Sequence, residues 1–267
     1  MSGTGSTSRT RSPLRVFLTG ASSGIGAALA RHYAGEGAVL GLAARRAEVL
    51  ADMASTLGTT VATYPLDVVD DVALAAAAAD FVTRFGVPDI VIANAGISAG
   101  TLTECAGDLA VFRRIMETNV LGMAATFAPF IEPMRTAGGE GRRLVGIASV
   151  AGIRGLPGAE AYSASKAAAI TYLESLRLEL RLSGIKVVTI APGYIATPMT
   201  DVNPYRMPFI IPADEAARRF ARAIVRGTSY TVIPWQMGVV AKLLRLLPNG
   251  LYDRLFAGAP RKPRLPG

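Results

Sequence analysis

Val16-Phe17-Leu18-Thr19-Gly20-Ala21-Ser22-Ser23-Gly24-Ile25-Gly26 runs into a helical stretch over residues 27–36. Val16 to Leu18 is a short apolar run of the kind that forms a buried strand. Glycine at 20, 24 and 26 removes the Cβ atoms that would block a tight turn, an approaching phosphate and the contact of helix with sheet. A strand feeding such a turn into a helix aims backbone N–H groups and the positive end of the helix dipole at a pyrophosphate. A plain surface turn is the alternative reading of the same residues.

The alternation continues along the chain. Short β-branched runs predict strands near 15–18, 38–43, 60–64, 89–93, 143–148, 185–190 and 230–233, with helices near 25–35, 46–57, 70–85, 108–136, 161–183 and 213–226. Seven strands interleaved with helices predict a doubly wound α/β fold, a single parallel sheet with helices on both faces. A length of 267 residues and 51% hydrophobic content suit one domain with a sizeable core and exclude a disordered chain. Residues 1–12, rich in Ser, Thr, Gly and Arg, predict a disordered tail. A dinucleotide-binding domain is expected over 13–234, with an amphipathic C-terminal extension of the same domain over 235–267.

The chemistry is expected downstream. Tyr162 and Lys166 are four residues apart, hence a turn apart on one helix face, where an ammonium can lie close to a phenol. A phenol with an ordinary pKa of ~10 is a poor base at neutral pH, and a neighbouring cation lowers that pKa. Ser149 follows the buried run Leu144-Val145-Gly146-Ile147-Ala148, which brings its hydroxyl out at the carboxyl end of a strand, where open α/β sheets bind ligands. Taken alone, Tyr-x-x-x-Lys also fits a solvated helix pair.

Taken together, these pieces resemble the short-chain dehydrogenase/reductase family, in its compact single-domain branch with a Rossmann-type fold. The matching segments are Thr19-Gly20-x-x-x-Gly24-x-Gly26, Asp67, Asn94-Ala95-Gly96, Asn119, Ser149, Tyr162-x-x-x-Lys166 and Pro192-Gly193 followed by Thr197, and they span residues 14–233. The resemblance implies a cofactor turn made of Gly20, Ser22, Ser23, Gly24, Ile25 and Gly26, an adenine contact at Asp67 with Val68 beside it, and Asn94-Ala95-Gly96 against the cofactor. It implies that Asn119 kinks its helix and holds a water. Pro192-Gly193-Tyr194-Ile195-Ala196-Thr197 would wrap the nicotinamide, with Thr197 and the Ile195 backbone meeting the carboxamide. The implied reaction is hydride transfer between nicotinamide and a carbonyl carbon, or its reverse from an alcohol. Tyr162 would serve as general acid and base, Ser149 would polarise the substrate oxygen, Lys166 would hydrogen-bond the ribose, and Asn119 would complete a water-linked proton path. Plainer readings are a helix cap for Asp67, a simple turn for Asn94-Ala95-Gly96 and an ordinary helical polar residue for Asn119.

Cofactor choice is read at the end of the second strand. NAD sites place Asp or Glu there for the ribose diol, whereas this chain has Ala43-Ala44-Arg45-Arg46. Arg45 has the planar fork and fixed charge suited to a 2'-phosphate, Arg46 flanks it, and Ser22 adds a hydroxyl. NADP(H) is therefore favoured over NAD(H), the alternative being a solvated helix start at both arginines.

The net charge is +8, from 28 basic and 20 acidic side chains. Arg9, Arg11 and Arg15, with Arg261, Lys262 and Arg264, lie in acid-free ends, and without those six the body carries about +2. The basicity reads as solvated tails, not as a nucleic-acid groove. No apolar run is long enough to span a bilayer, and no secretory signal is evident. Cys105 and His32, each the only one of its kind, allow no internal disulfide and no metal cluster, so a reducing cytoplasm is expected.

Substrate specificity is expected from residues 194–213, where Met199, Tyr205, Met207, Pro208, Phe209, Ile210 and Ile211 form an apolar segment. That composition suggests an apolar or bulky carbonyl or alcohol substrate. Beyond Pro234, Val239, Leu243, Leu246 and Leu247 fall towards one helix face, flanked by Lys242 and Arg245. The extension is read as a pocket lid or a homodimer contact, with a peripheral membrane contact as the alternative. A non-catalytic dinucleotide-binding regulator on the same fold is the second functional class.

Overall fold

Val16 and Leu18 turn to one side of β1 (Arg15–Thr19) and Phe17 to the other, and all three are buried. A strand covered on both faces belongs at the centre of a parallel sheet. The computed structural model describes residues 12–139 and 141–264, so all but the last residue of the tail expected over 1–12, with Arg9 and Arg11, lies outside the described residues. In chain order β1 is followed by α1 (Gly24–Gly35), β2 (Val39–Ala44), α2 (Ala47–Thr56), β3 (Val61–Pro65), α3 (Asp71–Phe85) and β4 (Ile90–Ala93). The second half contains α4 (Asp108–Met116), α5 (Gly122–Ala137), β5 (Arg143–Ile147), α6 (Glu160–Glu179) and β6 (Lys186–Pro192). A short pair, β7 (Ile195–Ala196) and β8 (Ile211–Pro212), brackets α7 (Pro198–Asp201). The chain ends with α8 (Ala213–Arg226), β9 (Tyr230–Ile233), α9 (Trp235–Leu246) and α10 (Asn249–Phe256).

Seven strands form one parallel sheet in the order β3-β2-β1-β4-β5-β6-β9. The order reverses between β1 and β4, and the carboxyl ends of strands at such a switch point leave a crevice. One core, with Val16, Leu18, Leu40, Leu42 and Phe220, packs α1 and α8 on one face. The other face carries Phe17, Phe81, Phe127, Phe130 and Leu173, and the Phe17 ring lies 4.8 Å from Phe130 and 5.6 Å from Phe81 between centroids.

The single helix expected over 108–136 is broken: α4 and α5 are joined by a π-helical turn at Glu117–Leu121 that contains Asn119. Apolar periodicity persists through the break, which hides the extra residue of a π-turn from sequence reading. Three of the six cations counted as solvated ends are also engaged. Arg15 pairs with Asp89, Arg264 grips Asp108, and Lys262 donates to the Met199 carbonyl.

The C-terminal extension folds back on the domain with a different face from the one expected. Met237, Gly238, Ala241 and Tyr252 are buried, whereas Val239, Leu243 and Leu246 are exposed. A Cβ on Gly238 would stand 3.1 Å from Val232 Cβ, so α9 lies too close to β9 for a leucine there. Arg154 secures the extension by donating to the carbonyls of Leu244, Arg245 and Leu247 and to Asn249 Oδ1. Its guanidinium lies 4.1 Å above the Tyr252 ring, and Tyr252 Oη donates to the Gly155 carbonyl at 2.6 Å. No helix among the described residues is long and apolar enough to cross a membrane.

The turn after β1 depends on two glycines. Gly20 has φ 67°, and a Cβ on Gly26 would stand 2.1 Å from the Gly20 carbonyl oxygen. Gly26→Ala is therefore expected to destabilise the protein by roughly 1–3 kcal/mol, since a packed backbone must move. Gly35 has nothing within 4 Å of a Cβ, so Gly35→Ala should change stability by less than about 1 kcal/mol. Urea midpoints of the two variants check the contrast, and equal losses would refute it.

Candidate active site

The crevice at the switch point is a cleft of about 280 Å³ lined by residues from every strand end between β2 and β6. Gly20, Ser22, Ser23, Gly24 and Ile25 form its first wall, and Arg45, Arg46, Asp67 and Val68 lie at one end. Asn94, Ala95 and Gly96 line the middle, and Ser149, Tyr162, Lys166, Pro192, Gly193, Ile195 and Thr197 the other end. Two expected residues, Gly26 and Asn119, are buried behind the lining. Thr118, Ala148, Met199 and Thr200 also line the cleft. Met199 belongs to the apolar segment expected to set specificity; for the other three, proximity to the motifs was the only signal in the sequence. Among the described residues no cluster of His, Cys, Asp and Glu is placed to hold a metal.

The turn wall is braced from behind. Asn94 Nδ2 donates to the carbonyls of Thr19 at 3.2 Å and Gly20 at 3.1 Å. Ser23, the residue before α1, makes no side-chain cap, which leaves first-turn amides for an anion at the dipole's positive end. Both features fit a dinucleotide pyrophosphate. At the far end Arg46 donates to Ser22 Oγ at 3.0 Å and to its carbonyl at 3.1 Å. Arg45 reaches Asp67 only at 3.8 Å, across an exposed pair that holds neither side chain tightly. Asp67 is not the helix cap, because Asp70 accepts from Ala73 N at 2.9 Å and caps α3.

At the opposite end, Ser149 stands before the 3-10 turn Val150–Gly152 and its Oγ accepts from Ala151 N at 3.1 Å. A Cβ on Gly152 would meet the Lys166 backbone at 2.5 Å, so this turn is pressed onto α6 and brings Ser149 to Tyr162. Burial pushes the Tyr162 pKa up, and a hydrogen bond with Ser149 opposes the rise. Lys166 is buried and donates from Nζ to the Ile147 carbonyl at 2.8 Å. Desolvation lowers its pKa to about 8. Its ammonium lies 5.9 Å from the Tyr162 ring centroid. The expected depression of the tyrosine by Lys166 is thus not what the structure shows: desolvation dominates, and the opposing group is Ser149.

Asn119 Oδ1 accepts from Ile97 N at 2.8 Å, and its Nδ2 donates to the Ile97 carbonyl and to Ser165 Oγ, both at 3.0 Å. Its amide braces the strand-end loop against α6. A second cavity, of about 100 Å³, adjoins the cleft and shares Ser149 and Tyr162 with it. Of the apolar segment expected to set specificity, Met199 and Tyr205 line this cavity, whereas Phe209 and Ile210 are exposed at the surface.

Residues 15–206 match the family model described as short chain dehydrogenase. An "uncharacterized oxidoreductase" of Myxococcus xanthus is 39% identical over 242 residues, which cover 89% of this chain and 94% of the relative. The Bos taurus protein "dehydrogenase/reductase SDR family member 7B" is 33% identical over 272 residues, covering 93% and 82%. Among solved structures, L-sorbose reductase from Gluconobacter frateurii, complexed with NADPH and L-sorbose, superposes with a TM-score of 0.74 at 25% identity, over 83% of this chain and 95% of that one. The chain belongs to the short-chain dehydrogenase/reductase family. It is an oxidoreductase with the nicotinamide-dinucleotide fold of that family.

The Lys166 environment makes a stability prediction. Its folded pKa, about 8, lies below the ordinary lysine value of 10.5, so between those limits the unfolded chain binds more protons and stability from this group rises with pH. The cost of the buried charge is present in full below pH 8 and relieved above 10.5. Measured without cofactor, wild-type stability relative to Lys166→Met should therefore increase across this window by up to about 3 kcal/mol. A pH-independent difference in denaturant midpoints would contradict the assignment.

Proposed function

We propose that the protein is an NADP(H)-dependent oxidoreductase that interconverts a carbonyl and a secondary alcohol, with Tyr162 as general acid and base. The observation that carries this reading is that Ser149 and Tyr162 line both the dinucleotide-sized cleft and the smaller cavity beside it. Only there would a cofactor and a substrate meet. A bound nicotinamide would supply or accept the hydride. Tyr162 would donate a proton to the developing alkoxide, its raised pKa keeping the phenol protonated for that step. Ser149 would hydrogen-bond the substrate oxygen. Lys166 would hold the ribose side of the cofactor, and Asn119 would position the loop and helix on which this set depends. Residues 13–264 would act as one functional unit, including the extension.

The glycine turn would hold the pyrophosphate, Asp67 and Val68 the adenine, and Ile195 with Thr197 the carboxamide. Arg45, Arg46 and Ser22 converge at the end where a 2'-phosphate would lie, and no carboxylate stands at the end of β2. The NADPH in the L-sorbose reductase structure supports the same preference. Retention of Ser149, Tyr162 and Lys166 in one cleft speaks against a non-catalytic regulator.

The smaller cavity favours a compact substrate. It measures about 100 Å³, and an engineered cavity of about 150 Å³ holds a benzene ring. Val150, Ala151 and Leu156 keep part of the lining apolar. Trp235, Val239, Leu243 and Leu246 leave an exposed apolar stripe along α9, which we assign to a homodimer contact.

Two substitutions test the reading. Tyr162→Phe should lower turnover about a hundredfold or more while NADPH binding persists; near-normal turnover would sink the catalytic assignment. Arg45→Asp removes the phosphate partner and adds repulsion, so the ratio of NADPH to NADH affinity should shrink or invert. Equal affinity of the wild type for both cofactors would show that the missing carboxylate is uninformative.

A further inference from the structure

The smaller cavity has a wall from a segment far away in sequence. Residues 261–264 are laid across its mouth by specific contacts. Gly100 N donates to the Pro263 carbonyl at 2.9 Å, and Arg264 forks onto buried Asp108 at 2.8 and 2.9 Å. That fork and a bond from Leu102 N hold the Asp108 carboxyl below the usual carboxylate range. The Arg261 stem lies against Gly158, where a Cβ would meet it at 2.8 Å. Lys262 therefore occupies a built position.

Its ammonium is the one charged group among the lining residues. Nζ donates to the Met199 carbonyl at 3.1 Å, which leaves two N–H groups to spare. No carboxylate pairs with it among the described residues. Burial lowers its pKa, the response of an ammonium short of counter-charge. Asn203 lines the same cavity, and its buried Oδ1 has no hydrogen-bond partner. The lining of this cavity thus includes an unneutralised cation and an unused acceptor together with Ser149 and Tyr162.

We propose that Lys262 is a specificity residue that receives a carboxylate of the substrate while the substrate's carbonyl or alcohol carbon faces Ser149 and Tyr162. The substrate class is then a compact keto acid or hydroxy acid, with Asn203 Oδ1 placed to accept from a further hydroxyl. This assignment rests on the oxidoreductase reading for its reaction but not for its binding. Other anions would meet the same cation, but a chamber of about 100 Å³ holds one small acid.

The test uses the full chain with NADP present and measures binding by calorimetry, independently of turnover. The probes are pyruvate, 2-oxobutyrate and levulinate, each against its neutral amide. At least one acid should bind about tenfold or more tightly than its amide, as a hydrogen-bonded charge partner implies. Lys262→Met should bring that ratio to within about twofold, and Lys262→Arg should retain part of it. Equal affinity for every acid and amide in the wild type, or a preference that survives Lys262→Met, overturns the proposal. A preference that Lys262→Met abolishes, with no probe reduced when NADPH replaces NADP, supports Lys262 and counts against the carbonyl–alcohol reading of these acids. Reduction of the neutral amides as efficiently as the acids does the reverse.

Discussion

The clasp of Asn94 on the glycine turn is the constraint from which the rest of the site follows. Two carbonyls at the end of β1 would otherwise point into the crevice between diverging strands, and the Asn94 amide satisfies both. With those carbonyls fixed, the chain must pass Gly20 at φ 67° and return within contact of Gly26. That return sets the first turn of α1 on the cleft. The same strand end carries Gly96, where a Cβ would lie 3.2 Å from Asn119 Oδ1 and 3.5 Å from Lys166 Nζ. The glycine turn and the Tyr162–Lys166 end of the cleft are therefore linked through a few residues of one loop.

Lys166 and Tyr162 illustrate the cost of this arrangement. Each is drawn away from its charged form by desolvation, the lysine downwards and the tyrosine upwards. An ammonium under the Ile147 carbonyl and a phenol beside Ser149 are kept because the fold presses α6 onto the turn after β5, not because the pair stabilises itself. A bound dinucleotide would change the field that both feel, which is how a site of this kind tunes a general acid.

The fold was legible because a parallel sheet buries its central strands on both faces, so Val16-Phe17-Leu18 and the runs of β2, β4 and β5 stand out as apolar, whereas the edge strands β3 and β9 are only partly buried. The cofactor end was legible for a related reason: glycines at close backbone contacts have no substitute. The resemblance put a kink at Asn119, where the π-turn lies, but the apolar pattern did not show it, since one inserted residue leaves that pattern intact on both sides. The C-terminal stripe showed an apolar face but not the face that meets the domain, because leucine count measures hydrophobicity and not proximity. Gly238 and Ala241 make the contact, and they do so by being small enough for α9 to approach Val232.

The substrate end was illegible for a stronger reason. Arg264 and Lys262 lie in an acid-free stretch and read as solvated, yet the Arg264 counter-charge, Asp108, is 156 residues away. No local pattern carries such a pairing. The family match ends at residue 206, and of the residues that line the smaller cavity Lys262 alone lies beyond it, so the role of Lys262 must be argued from its own contacts. Lys262 reaches that cavity through contacts made after β9, whereas the clasp and the sheet are built from residues up to Ile233. Ser149 and Tyr162, with Gly193, Met199 and Thr200, line both cavities and are where these two parts of the molecule meet.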